Sequence, residues 1–125
     1  MDTQSFLWST TDDPRLSSVA REFIARRENQ ILLSAVTSWE IAIKFALGRL
    51  PELSEAPEDY IPARMAQASF TPLPIAMEHT FRVAHLPRVH RDPFDRLLVA
   101  QAQVEGLPII TNDEQIRRYG VETIW

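Results

Sequence analysis

The segment 90–102 constrains the fold more than any other, because it joins a clear helix start to an almost wholly apolar body. Asp92 is placed to cap the helix, Pro93 to be its first residue and Asp95 its third. Beyond them apolar residues lie on nearly every side, with Phe94 and Leu97 on one stripe with Leu98 and Ala102. Such a helix leaves little face for water, so we predict that it packs against a sheet.

Short apolar runs alternate with helical patterns along the rest of the chain. We predict strands at 31–34, 70–74, 107–110 and 121–125, and a helix that begins at Asp13 and Pro14. The capping-box form of 37–40 predicts that a further helix begins there and ends at Gly48. This alternation is typical of βαβ units, which indicates an α/β sandwich around a parallel sheet in one domain, 1–125.

The composition excludes several classes of protein. With 125 residues, no cysteine and no apolar run near the roughly 20 residues of a membrane span, we expect no membrane association and a cytoplasmic location. A formal charge of −4 argues against a nucleic-acid partner. Arginines nevertheless crowd the region 82–96, where Arg88 and Arg91 are candidate contacts for nucleic-acid phosphates; a solvated surface is the equal alternative.

Acidic residues follow the predicted strands and open the predicted helices. Glu40 follows the strand at 31–34, Asp113 follows the strand at 107–110, and Asp95 opens the apolar helix. Ligands bind beyond the carboxyl ends of parallel strands, so these carboxylates are expected to converge, with Asp2 a fourth if a strand preceded it. Each could equally be a helix cap. A converging cluster needs a cation, and oxygen ligands favour Mg²⁺ or Mn²⁺, which suits phosphodiester hydrolysis.

Other catalytic motifs are absent from the sequence. There is no glycine-rich phosphate loop and no nucleophile elbow, and the histidines lack metal-ligand spacing. We interpret His79 and His85 as packing or surface residues. The tryptophans, Trp8, Trp39 and Trp125, are interpreted as core or partner-facing rather than as platforms for nucleic-acid bases.

Four motifs carry a resemblance that covers essentially the whole chain. They are, in order, Asp2-Thr3 with Phe6-Leu7-Trp8, Ser38-Trp39-Glu40-Ile41-Ala42-Ile43-Lys44 with Gly48-Arg49-Leu50, the segment 90–102, and Thr111-Asn112-Asp113 with the ending Ile124-Trp125. Together they resemble the motifs of PIN-domain proteins, specifically the VapC-like toxins of toxin–antitoxin pairs. The resemblance implies a three-layer α/β/α fold with a central parallel sheet, and a metal-dependent endoribonuclease.

The resemblance also implies roles for individual residues. Matching the motifs gives an acidic set that binds Mg²⁺ or Mn²⁺: Asp2, Glu40, Asp95 and Asp113. Asp92 would be an outer or additional ligand, and Arg96 and Thr111 would orient carboxylates or touch phosphate. The implied partners are RNA, a small antitoxin protein and a second copy of the chain. The segment 6–8 is a candidate for part of the antitoxin groove, with core packing the equal rival.

The chain departs from the family at its first strand. In the family the counterpart of Asp2 ends a central apolar strand, whereas only Met1 precedes Asp2 here. That strand is therefore expected to be missing or truncated, either because the given start lies downstream of the true one or because the chain lacks the strand. In the second case Asp2 is expected on a frayed terminus beside a positive α-amino group. This departure supports an alternative, a catalytically weak PIN-fold protein that binds an antitoxin or RNA. A phosphoacceptor or nucleotide-binding domain is a more distant alternative.

Overall fold

The computed structural model describes residues 1–125. Its helices are α1 (Thr3–Thr10), α2 (Ser18–Ala25), α3 (Ala35–Ala46), α4 (Pro57–Ala68), α5 (Met77–Val83), α6 (Pro93–Glu105) and α7 (Glu114–Arg117). Its strands are β1 (Leu32–Ser34), β2 (Thr71–Leu73), β3 (Ile109–Ile110) and β4 (Thr123–Ile124). The predicted α/β alternation is confirmed. No helix is both long enough and apolar enough to cross a membrane.

The strands form two parallel pairs rather than one continuous sheet. β1 pairs with β2, with Leu33 opposite Pro72, and β3 pairs with β4, with Ile110 opposite Ile124. The parallel direction agrees with the sequence prediction. The expected central sheet is divided, however, because no strand lies between β1 and β3 to join the two pairs.

An apolar slot separates the two pairs. The cavity has a volume of about 240 Å³, and its lining includes Leu32 from the first pair, Ile109 from the second and Leu98 from α6. At one end of the gap the backbone N–H of Asp2 donates to the carbonyl of Ile110 at 3.2 Å. The first two residues thus bridge toward the second pair, while the slot remains between the strands.

The helix starts show where the sequence prediction holds and where it fails. Asp92 caps α6 with Pro93 in its first turn, as predicted. α3 instead begins at Ala35, because the Ser34 hydroxyl accepts the Val36 N–H at 3.0 Å and caps the helix there. The predicted capping box at 37–40 is therefore wrong, and Glu40 lies within the helix, past its first turn.

The start of α2 also differs from the prediction. The helix begins at Ser18, capped by Ser17, and not at Asp13 and Pro14. The Asp13 carboxylate instead accepts from the backbone and side chain of Arg15, which closes a local turn ahead of the helix.

Most of the segment 6–8, the candidate for part of the antitoxin groove, lies in the hydrophobic core. Phe6 and Leu7 are buried, so for these two the core reading is right and the groove reading is wrong. Trp8 is partly buried and packs on Trp125, with ring centroids 5.9 Å apart. The middle of α6 is buried as predicted, although Phe94 near its start stays half-buried.

Candidate metal centre

Five carboxylates from distant parts of the chain line one polar cleft. The cleft has a volume of about 260 Å³ and no hydrophobic residue in its lining. Its carboxylates are Asp2, Glu40, Asp92, Asp95 and Asp113, and its other lining residues are Thr3, Gln4, Lys44 and His90. The convergence predicted from the strand ends is therefore present in the structure.

Asp2 is held by both of its carboxylate oxygens. One oxygen accepts the backbone N–H of Ser5 at 2.7 Å and caps α1, and the other accepts the hydroxyl of the buried Thr111. Asp2 is itself only 9% exposed. Its expected place on a frayed terminus is therefore wrong. Burial also lowers the pKa of the Met1 α-amino group, which weakens the positive charge expected beside the site.

Glu40 is held by a hydroxyl and an ammonium group. Its carboxylate accepts from the Thr3 hydroxyl at 2.5 Å and forms an ion pair with Lys44, one helical turn further along α3, also at 2.5 Å. These contacts join α3 to the start of α1, next to Asp2.

Asp92, Asp95 and His90 form the tightest group in the cleft. One potential ligand atom from each lies within 4.8 Å of the others. Asp92 caps α6 by accepting the N–H of Phe94 at 2.8 Å. The Asp95 carboxylate is hydrogen-bonded to the His90 ring nitrogen Nε2, also at 2.8 Å. His90 also donates its backbone N–H to the Tyr119 hydroxyl at 3.1 Å, which anchors the loop that carries it.

Sequence reasoning missed His90. It lies in an irregular connection five residues before Asp95, a spacing that matches no helical or strand-based metal motif. The available signal was its presence within the motif 90–102. The other histidines fit their prediction, since His79 is buried and bonded to Glu105 at 2.8 Å, and His85 is exposed.

The pKa of the Asp95 carboxyl group is raised by its surroundings in the cleft. Its pKa is raised from 3.8 to about 6, first by burial and then by the negative charge of Asp92, with smaller contributions from Glu40 and Asp113. The hydrogen bond from His90 opposes this rise. Burial and the neighbouring acids together make ionisation of the Asp95 carboxyl group unfavourable.

Asp113 completes the acidic set from the opposite end of the chain. Its carboxylate caps α7 by accepting the N–H of Gln115 at 2.7 Å, while its own N–H donates to the Thr111 hydroxyl at 2.9 Å. Thr111 therefore contacts both Asp2 and Asp113. Asp113 therefore caps a helix and also lines the acidic cleft, so the two roles predicted from the sequence are compatible.

The arginines lie around the cleft rather than in it. Arg96 donates to the backbone carbonyls of Pro87 and Val83 at 2.9 and 3.1 Å and has no carboxylate partner, so it braces the loop before α6 instead of orienting an acid. Arg88 and Arg91 are exposed and form no ion pair.

The residues present fit a hard divalent cation. The cleft offers carboxylate oxygens from four chain segments, and one lysine and one histidine are the basic groups among its lining residues. Carboxylates at this density are the ligands that Mg²⁺ and Mn²⁺ prefer, and a cation would offset the repulsion that raises the Asp95 pKa.

Residues 1–122 match the PIN domain, so the chain belongs to the PIN domain family. It is also 41% identical over 71 residues to Ribonuclease VapC16 of Mycobacterium tuberculosis. That match covers 54% of this chain and 50% of the relative, so it spans about half the length of that protein. The VapC-like resemblance that the four motifs predicted is confirmed.

Proposed function

We propose that this protein is a metal-dependent endoribonuclease that hydrolyses RNA phosphodiester bonds as the toxin of a toxin–antitoxin pair. The observation that carries the proposal is the convergence of Asp2, Glu40, Asp95 and Asp113 in one polar cleft. The family membership and the likeness to a ribonuclease support it.

Each acidic residue would contribute through contacts already in place. Asp2, Glu40, Asp95 and Asp113 would hold Mg²⁺ or Mn²⁺, with Asp92 as a further ligand or a support. When bound, the metal lowers the pKa of water and stabilises charge on the phosphate. Asp95 must lose its proton to act as a ligand, and the hydrogen bond from His90 favours its ionised form.

The arginines and the partners complete the proposal. Arg88 and Arg91 are exposed and free of ion pairs, so they are available to contact RNA phosphates. By resemblance, we expect a small antitoxin protein and a second copy of the chain as partners, in the cytoplasm.

Cleavage of RNA in the presence of Mn²⁺ tests this proposal. We expect the wild-type protein to cleave a single-stranded RNA, and Asp95→Asn to lose at least about a hundredfold in rate, because the cleft loses a metal-binding charge. Asp59→Asn is the matched control, since Asp59 is exposed on α4 and does not line the cleft. Equal rates for wild type and Asp95→Asn would refute the assignment.

One observation favours the alternative of a catalytically weak PIN-fold protein that binds an antitoxin or RNA. The Glu40 carboxylate forms an ion pair with Lys44, so a metal ion must compete with this ammonium group for Glu40. Lys44→Met separates the two proposals. If competition limits activity, the variant binds Mn²⁺ more tightly than wild type; under the ribonuclease proposal, wild type already binds the metal and cleaves RNA.

A further inference from the structure

An exposed aromatic pair flanks the acidic cleft. Trp39 on α3 is 47% exposed, and its ring packs edge to face with Phe94 on α6 at a centroid distance of 4.7 Å. Each ring belongs to the residue next to an acid of the cleft, Glu40 in one case and Asp95 in the other. Of the two predicted roles of Trp39, the core role is therefore wrong, whereas the partner-facing role agrees with its exposure. A large aromatic surface faces solvent beside the candidate metal centre.

The cleft itself offers little stacking surface to a nucleobase. Its lining has no hydrophobic residue, and its one aromatic ring, that of His90, is hydrogen-bonded to Asp95 at 2.8 Å. A nucleotide whose phosphate lies in the cleft must place its base elsewhere. Trp39 provides an aromatic surface adjoining the acids, and Phe94 fixes its orientation through the edge-to-face contact.

We propose that Trp39, supported by Phe94, stacks against an unpaired base of an RNA strand whose phosphate occupies the acidic cleft. The inference rests on the proposed function and adds to it a residue that contacts a base of the substrate. Bases in a duplex are already stacked on their neighbours, whereas an unpaired base can be splayed out onto an aromatic side chain. Every base has an aromatic face, so this contact favours single strands without selecting a sequence.

The rest of the exposed face of α3 suits a protein partner as well as RNA. Ile43 and Leu47 follow Trp39 at intervals of four residues and are 36% and 58% exposed. RNA is favoured at the Trp39 end, because the ring that supports Trp39 lies on the helix that carries Asp92 and Asp95, and because the neighbouring Arg91 is exposed. Coverage of the whole face by protein is the competing outcome.

Binding of a fluorescein-labelled single-stranded RNA to the full chain tests the stacking contact separately from cleavage. Ca²⁺ replaces Mn²⁺ in this assay, because it binds carboxylates and can hold the phosphate but is not among the metals that activate water for hydrolysis. We expect Trp39→Ala to weaken binding about tenfold and Trp39→Phe to retain most of it, since stacking on one aromatic ring is worth this order of affinity. Leu47→Ala is the matched control and should leave the affinity unchanged, since Leu47 is an exposed apolar residue at the C-terminal end of α3. Duplex RNA should bind wild type and Trp39→Ala equally.

The outcomes separate this inference from the proposed function. Equal affinity of wild type and Trp39→Ala for single-stranded RNA, or an equal loss in Leu47→Ala, would overturn the stacking contact, even if RNA is cleaved. Absence of metal-dependent cleavage with Trp39-dependent binding would overturn the proposed activity alone. No RNA binding by the wild type would overturn both. Circular dichroism of each variant checks that the fold is kept.

Discussion

The acidic cleft and the apolar slot differ in how their walls are held. In the cleft, Asp2, Asp92 and Asp113 each cap a helix, so a local hydrogen bond fixes each carboxylate near its own backbone. In the slot, the facing strands β1 and β3 belong to separate pairs, and no ladder hydrogen bond joins them. Hydroxyl groups then join distant segments of the cleft, Thr111 to Asp2 and Thr3 to Glu40. The cleft is thus held by local and long-range hydrogen bonds, whereas the slot lacks the long-range pairing that would close the sheet.

The difference means that stability and chemistry should respond to different changes. The slot removes packing contacts and strand pairing from the middle of the structure, which lowers the free energy of unfolding. The cleft concentrates negative charge, which also lowers this free energy but creates the affinity for a cation. Three predictions test this separation, from the largest expected effect to the smallest.

Filling the slot should have the largest effect on stability. An apolar, strand-forming segment of about five residues added before Met1 should raise the free energy of unfolding by about 3 kcal/mol, because burial of its side chains outweighs the ordering of its backbone. Chemical denaturation measures the change. A serine- and glycine-rich segment of equal length is the control and should have no such effect. Equal stabilisation by both segments would show that the slot does not accept a strand.

The charge of the cleft should appear in the pH dependence of stability. The Asp95 pKa is about 6 in the folded protein against 3.8 for the ordinary group, so between these values the folded state binds more protons than the unfolded state. Its contribution is complete below pH 3.8 and is lost as the pH rises through about 6, a fall on the order of 2 kcal/mol.

The difference between wild type and Asp95→Asn isolates this group. Without metal, the variant should be the more stable protein at pH 7, and its advantage should vanish near pH 4. Denaturation curves across this pH range measure it. A constant difference between the two proteins would contradict the raised pKa.

Substitution of His90 should change the metal affinity of the cleft and leave the packing of the slot unchanged. We expect His90→Ala to weaken Mn²⁺ binding about tenfold, because Asp95 loses the neighbour that orients it and favours its ionised form. Titration calorimetry measures the affinity. His85→Ala is the control, since His85 is exposed and outside the cleft. The same loss in both variants would indicate a general effect on the loop before α6.

The sequence predicted best those features that depend on adjacent residues. Asp92 with Pro93 and Asp113 after Thr111 identified two helix starts, because a cap and its N–H partners lie within three residues of each other. The same logic failed at α3, where both Ser34 and Thr37 could cap a helix. Burial of Ser34 and its hydrogen bond to Gln101 at 2.5 Å favour the earlier start, and that long-range contact has no local signal.

The remaining features required the three-dimensional structure. The contact of His90 with Asp95 depends on the path of an irregular loop, and the exposure of Trp39 depends on which elements pack against α3. Arg96 was expected near carboxylates because of its position in the motif, but its guanidinium group is used by nearby carbonyls. The division of the strands into two separate pairs also became visible only in the structure.

The most direct test of the central claim is titration of Mn²⁺ into the 125-residue chain by calorimetry, beside Asp95→Asn and Asp59→Asn. Our account predicts saturable binding by wild type and Asp59→Asn, and its loss in Asp95→Asn, with the slot unfilled in all three proteins. Absence of binding by wild type, or equal binding by Asp95→Asn, would contradict the claim that the cleft is a formed metal centre.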